Sequence, residues 1–331
     1  MKILIVHKGK LPATYYGGTE RVVWYLGKAL VEMGHEVEYL TTSGSEIPFC
    51  KCRFIDENKP IEDQIGKAYD VVHFHHVQDN NEYGPVPALV TIHGNAAPGE
   101  QLSLNAVFVS ADHARRHGAA SFVYNGLGWE DYELPHLDLD RKYFHFLGKA
   151  AWRVKNLRGA IQVIHKTRNE KLYVLGGHRV NFKMGMRITL SPRVRFFGMV
   201  GGKEKSALVN GSKGLIFPVR WHEPFGLSII ESLFYGTPVF GTPYGSLPEL
   251  VGNEFGFLSN DASVLAAAIY DSESYNSTVC HEYARDVYSA KQMARSYVDL
   301  YEKVIVGRPL NPSMPKLEPD QSTTLLEWIS P

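Results

Sequence analysis

Apolar residues along this chain alternate between short unbroken runs and helical spacing. Ile3–Val6, Glu36–Leu40, Asp70–Phe74, Ala88–Ile92 and Ala106–Val109 read as buried strands. Between the first two, Val22, Val23, Leu26, Leu30 and Met33 recur at helical intervals, with Thr19 placed to cap the helix and Gly34-His35 to end it. The alternation restarts at Tyr143–Leu147, with helical spacing over Leu157–His165 and strands at Lys171–Leu175, Val194–Phe197, Gly214–Phe217 and Pro238–Phe240. A long helical stretch is predicted over roughly 281–305. Strands alternating with helices imply parallel, doubly wound α/β sheets, whose ligands collect at the carboxyl ends of the strands. A chain of 331 residues exceeds one typical core. The expected domains are 1–140 and 141–290, linked near 130–141. Residues 291–331, a helix end and a proline-rich tail, are expected to pack back on the first domain, a partner-binding arm being the other reading.

Composition narrows the class. The chain is 44% apolar and 21% charged, as in ordinary globular proteins. Its opening run of four apolar residues reads as a strand rather than a signal peptide. No apolar run approaches the roughly 18 residues needed to cross a bilayer. Cys50, Cys52 and Cys280 do not make a disulfide framework, and a reduced, cytoplasmic chain is expected. The zero net charge conceals an asymmetry: residues 1–140 carry a net of −8 and residues 141–331 a net of +8. In 141–220 there are 18 basic residues against two acidic ones, Glu170 and Glu204. Such a concentration attracts anions, whether nucleotide, nucleic acid or anionic glycan. The acidic first half allows at most peripheral association with an anionic membrane.

Four segments carry candidate chemistry. Gly17-Gly18-Thr19-Glu20, after Tyr15-Tyr16, joins the first strand to the first helix and lets backbone amides approach an anion. Gly-x-Gly-x-x-Gly is absent there, which removes the dinucleotide fingerprint. Thr91-Ile92-His93-Gly94 places His93 past the end of a buried strand, beside the His73-x-His75-His76 cluster, in which His73 and His75 share a face. The cluster is weak as a metal site, because no carboxylate accompanies it. Gly148–Leu157 carries Lys149 and Lys155, two cations suited to a diphosphate, and Asn156 is placed to cap the next helix. Glu223-Pro-Phe225-Gly226-Leu227, with Glu231 about two turns into an apolar helix, flanks a helix entrance with carboxylates suited to vicinal hydroxyls. Taken alone, that pair is equally compatible with a turn residue and a solvated helix residue. Asp138-Leu139-Asp140 lies in the expected linker and reads as a solvated stretch, so no metal is expected.

In this order the segments resemble the retaining GT-B glycosyltransferases of family 4, which also resemble glycogen and sucrose synthases. The resemblance rests on Gly17-Gly18-x-Glu20, Thr91-x-His93-Gly94, Asn125-Gly126, the Gly148–Lys155 loop, Glu223-x7-Glu231, Gly236-Thr237-Pro238 and Gly245-x-x-Pro248-Glu249. It spans residues 3 to about 251, and the Glu-x7-Glu stretch is its specific part. It implies two Rossmann-like domains facing an interdomain cleft. Glu223 with Phe225, Gly226 and Leu227 would hold the donor sugar, and Glu231 the ribose. Lys149 and Lys155 would grip the diphosphate, Gly17 and Gly18 would close over it, Met199 and Val200 would line the base pocket, and His93 would lie beside the transferred sugar. The family usually has arginine where Lys149 stands, and the loop to Lys155 is one residue longer here.

The implied activity is transfer of a hexose-type sugar, with retention, from a nucleotide sugar to a glycan, lipid-linked or small-molecule acceptor. UDP is the expected nucleotide. The route is a front-face displacement without metal or cofactor, with Glu223 positioning rather than attacking. Epimerase, hydrolase and non-catalytic nucleotide-sugar binding are the alternatives. Nucleic acid is not an expected partner, because the basic stretch lacks interleaved aromatic residues. The acceptor is expected against the loops 40–66, 74–87 and 93–104.

Overall fold

The unbroken apolar runs form strands and the helical spacings form helices in the computed structural model, which describes residues 1–13, 17–78, 83–181, 187–321 and 325–330. Tyr15 and Tyr16 of the first glycine loop, and 79–82 of the expected acceptor loop, lie outside the described residues. The chain divides into two compact units, Met1–Trp129 with Tyr288–Ser322, and Glu130–Val287 with Thr323–Pro331.

In the first unit β1 (Lys2–His7), β2 (Glu36–Thr41), β3 (Lys51–Phe54), β4 (Val71–Phe74), β5 (Ala88–Ile92) and β6 (Ala106–Phe108) form a parallel sheet in the order β3-β2-β1-β4-β5-β6. Helix α1 (Gly18–Glu32) connects β1 to β2, and the six-residue α2 (Ala111–Arg116) follows β6. The sheet is apolar because it is covered: Leu4, Val6, Val72, Phe74, Val90 and Phe108 form one buried cluster.

The second unit repeats the plan. Its strands are β7 (Tyr143–Leu147), β8 (Leu172–Leu175), the short hairpin β9 (Val180–Asn181) and β10 (Arg187–Ile188), β11 (Val194–Phe196), β12 (Ser212–Phe217), β13 (Val239–Gly241) and β14 (Gly256–Leu258). The main sheet runs β11-β8-β7-β12-β13-β14, all parallel. Its helices are α3 (Leu157–Lys166), α4 (Gly202–Asn210), α5 (Leu227–Phe234), α6 (Leu247–Leu250), α7 (Ala262–Ala268) and α8 (Ser277–Val287). Phe144, Phe146, Val174, Ile216, Phe240 and Leu265 form its core. No helix among the described residues is long and apolar enough to cross a membrane.

Two local expectations need correction or refinement, and a third holds. The helical stretch predicted over roughly 281–305 is made of two helices, α8 and α9 (Ala290–Ile305). Ser289 takes an extended conformation and its side chain caps the backbone N–H of Gln292, which starts a new helix where the chain changes unit. The break is also anchored: Leu127 and the 288–290 segment exchange two backbone hydrogen bonds, at 3.0 and 2.8 Å. Gly126 permits this approach, since a Cβ there would lie 2.2 Å from the Ser289 carbonyl oxygen. Thr19 does not cap α1. The helix begins at Gly18, Gly17 is the capping position, and Thr19 lies inside the first turn. Asn156, by contrast, caps α3 as its sequence position predicts, accepting from the Gly159 N–H at 3.0 Å.

Residues 130–142 pack with the second unit. Tyr132 donates to Glu231 at 3.0 Å, and the His136 N–H donates to Asn210 at 2.8 Å. The tail is shared. Asn311 bonds residues 104, 106, 120 and 121 of the first unit. Leu326 and Ile329 bond Arg220, Asn260 and Ala262 of the second.

Candidate functional site

The carboxyl edge of the second sheet collects the charged candidates. β7 and β12 are neighbours running in the same direction, so the loops leaving them emerge side by side. Lys155 comes from the first loop and Glu223 from the second, and they meet: Lys155 Nζ lies 2.6 Å from Glu223 Oε2. Both side chains are buried, 10% and 8% exposed, so each charge relies mainly on the other in place of water. Trp221 Nε1 donates to the same Oε2 at 2.8 Å. The Lys155 ammonium also sits over the rings of Phe217 and Trp221, 5.1 and 5.2 Å from their centroids. Both hydrogen bonds fall on Oε2, and Oε1 accepts none from the described residues. Gly245, in the left-handed region at φ 63°, lets its backbone pass the Glu223 peptide, where a Cβ would lie 2.3 Å from the Glu223 nitrogen.

Glu231 sits deeper and differently from its expected place. It is the fifth residue of α5, little more than one turn in, because the helix starts only after Gly226. Its carboxylate is almost fully buried, ion-paired with Lys205 of α4, and accepts the Tyr132 hydroxyl. Neither partner stood out in the sequence. Tyr132 lies in what reads as a linker, and Lys205 is one of two lysines in the first turn of a helix with no marked periodicity.

The remaining donor-side candidates are also placed. Phe225 is buried, Gly226 turns the chain into α5, and Leu227 opens the helix, whose first N–H groups have no carbonyl partner within it. Lys149 is half-buried, its ammonium 4.9 Å from the Trp152 ring centroid. Met199 is exposed and Val200 buried, just before α4. In the first unit Gly17 and Gly18 stand at the start of α1, and Glu20 closes on Gly17.

The carboxyl edge of the first sheet carries histidines instead of ion pairs. His7 ends β1, His75 follows β4 and His93 follows β5, three neighbouring strands. His73 and His75 share a face as alternation predicts, their rings 4.1 Å apart. His73 is held by Tyr301 at 2.8 Å and Thr91 at 2.7 Å, which makes it a structural residue. His75 Nδ1 lies 2.9 Å from His93 Nε2. Burial pushes His93 and His76 down to about 3, and His73 and His75 well below the ordinary imidazole range. Near neutral pH these rings are therefore uncharged. Among the described residues no group of three or more His, Cys, Asp or Glu is placed to hold a metal ion.

The loop after His93 is clamped by α2, one residue at a time. His113 Nε2 lies 3.1 Å from the Gly94 carbonyl, Arg116 donates to the Asn95 side chain at 2.8 Å, and the Ala96 N–H donates to His117 at 3.3 Å. The Arg116 side chain is fully buried and paired with Asp112.

Comparison with known proteins agrees with this architecture. Residues 141–272 match the family model described as glycosyl transferases group 1. The O-antigen chain mannosyltransferase B of Escherichia coli is 30% identical over 151 residues, covering 42% of this chain and 39% of that one. The chain spans about a third of the length of the curated relatives it matches. AviGT4, a glycosyltransferase involved in avilamycin A biosynthesis, superimposes with a TM-score of 0.73 at 21% identity, over 92% of this chain and 98% of its own. Anabaena HepE, crystallised with UDP-glucose, gives a TM-score of 0.67 at 14% identity over 92% and 100%. The two six-stranded parallel sheets thus have the fold of solved GT-B glycosyltransferase structures, and residues 141–272 are similar to the group 1 glycosyl transferases.

Proposed function

We propose that this protein is a retaining glycosyltransferase that moves a hexose-type sugar from a nucleotide sugar to a hydroxyl of a glycan or small molecule. The observation that carries the reading is the buried Lys155–Glu223 pair at the carboxyl edge of the group 1 region. Lys155 holds the carboxylate in place through Oε2, which leaves Oε1 to accept from a sugar hydroxyl. On the arrival of a diphosphate the ammonium has a second anion within its reach, and Lys149 adds to it. The open N–H groups of Leu227 and Ser228 serve the same charge. As the bond from the anomeric carbon to the diphosphate oxygen breaks, the acceptor oxygen bonds that carbon from the same face, and its proton passes to the departing diphosphate. Glu223 orients the sugar and forms no covalent bond. Glu231, set by Lys205 and Tyr132, takes the ribose hydroxyls. The UDP-glucose held by HepE supports UDP as the nucleotide.

A thermal-shift series with UDP, GDP, ADP and their sugars tests this reading. A rise of several degrees with one base identifies the donor, and no response to any of them counts against the reading. Sugar transfer should then survive EDTA. Free sugar released without an acceptor would instead mark a hydrolase.

A further inference from the structure

We propose that His75 is a positioning residue that fixes His93 as a hydrogen-bond donor, so that the ligand atom His93 meets is an acceptor oxygen such as a sugar hydroxyl. The identity of that ligand rests on the transferase reading; the pairing of the two imidazoles does not.

The geometry starts from the sheet. His75 directly follows β4, and its backbone N–H is anchored on the Val6 carbonyl at 3.0 Å, so its ring is presented from a fixed point. His93 directly follows the adjacent β5. The two rings are inclined by only 27° with His75 Nδ1 2.9 Å from His93 Nε2, the arrangement of a single N–H···N bond. One proton lies in that bond, and the question is which ring owns it.

With both rings neutral there are two answers. If His93 carries its proton on Nε2, then His75 must carry its own on Nε2. That atom is buried and has no partner among the described residues. If His75 carries its proton on Nδ1 and donates it to His93, the unpartnered atom is a bare nitrogen, and His93 holds its proton on Nδ1. A buried N–H without an acceptor is the rarer of the two defects in folded proteins. The second arrangement is the one the fold selects. His73 offers no escape, since its two nitrogens are taken by Tyr301 and Thr91. His7, with its ring centroid 6.3 Å from that of His75, has no hydrogen-bond partner for either ring nitrogen among the described residues. His93 therefore keeps its proton on Nδ1, an atom with no hydrogen bond to the described residues, and such an N–H seeks an oxygen lone pair.

Two isosteric variants separate donor from acceptor at the Nδ1 position of residue 75. Asparagine in H75N keeps an N–H there, whereas an ionised aspartate in H75D can only accept and forces the His93 proton onto Nε2. The full-length protein, labelled with nitrogen-15 histidine, is read by long-range proton–nitrogen correlation, with the His93 signals identified by their loss in H93Q. His93 protonated on Nδ1 in the wild type and in H75N, and on Nε2 in H75D, supports the proposal whether or not turnover is seen. A wild-type spectrum with the proton on Nε2 overturns it. With an acceptor in hand, H75N should keep kcat/KM within about threefold of wild type, and H75D should lose at least about tenfold. Equal activity in both variants would overturn the ligand-facing part. Absence of transfer in every protein, wild type included, would fault the transferase reading, and the spectrum would still decide the pairing.

Discussion

The two sheets share one strand order, yet their carboxyl edges are built from opposite electrostatics. The second edge holds Lys155–Glu223 and Lys205–Glu231, two buried ion pairs whose lysines belong to the strongly basic 141–220 segment. The first holds His7, His73, His75 and His93, imidazoles kept neutral by burial. Neutral imidazoles pair well with hydroxyls, being donor and acceptor at once. A paired lysine and carboxylate suit a ligand that is anionic at one end and hydroxylated at the other. The doubly wound scaffold imposes neither choice; the loop residues do.

Breaking the second edge should have the largest effect. K155M strands Glu223 in a buried site, and removal of one partner from such a pair costs about 3–5 kcal/mol. Thermal unfolding should show a clear loss, and transfer should fall at least about a hundredfold. Retained activity with unchanged stability would mean that the pair is not the centre of the site.

The first edge should respond to acid. His93 and His76 are held near about 3, with His73 and His75 also well below normal. In the unfolded chain each takes up a proton as pH falls through about 6.5. Between about 6.5 and 3 the unfolded state therefore binds more protons, and stability falls as pH falls. Hydrogen exchange should show β1, β4 and β5 losing protection between about pH 7 and 4.5 before β7 and β12, where His145 is the buried counterpart. Simultaneous loss in both sheets would remove the contrast.

The smallest effect is expected from Y132F, which deletes one hydrogen bond to Glu231 while Lys205 remains. Nucleotide affinity measured by calorimetry should weaken by about 1 kcal/mol, roughly fivefold. An unchanged affinity would separate Glu231 from the nucleotide.

Much of the fold was legible because buried parallel strands are unbroken apolar runs, and Ile3–Val6, Ala88–Ile92 and Tyr143–Leu147 all became strands in the expected places. The break inside the helical 281–305 stretch was not legible for a related reason. Its helical spacing continues across the point where the chain changes unit, and only the anchoring of residues 288–290 on Leu127 shows that the helix must stop. Thr19 was misplaced because Gly17 and Gly18 let α1 begin earlier than a capping side chain requires. At the site, Glu223 and Lys155 stood out through their loops, whereas Tyr132 and Lys205 gave no local sign of reaching Glu231.

Local sequence therefore determined which segments became strands, where the chain repeats itself, and which loops carry charge. Those properties follow from periodicity and composition over a few residues at a time. The tertiary structure alone decided which side chains share a hydrogen bond. Lys155 and Glu223 are 68 positions apart, and His75 and His93 are 18 apart. They meet because neighbouring parallel strands deliver their loops to one edge, and burial there removes the water that would otherwise satisfy each group by itself.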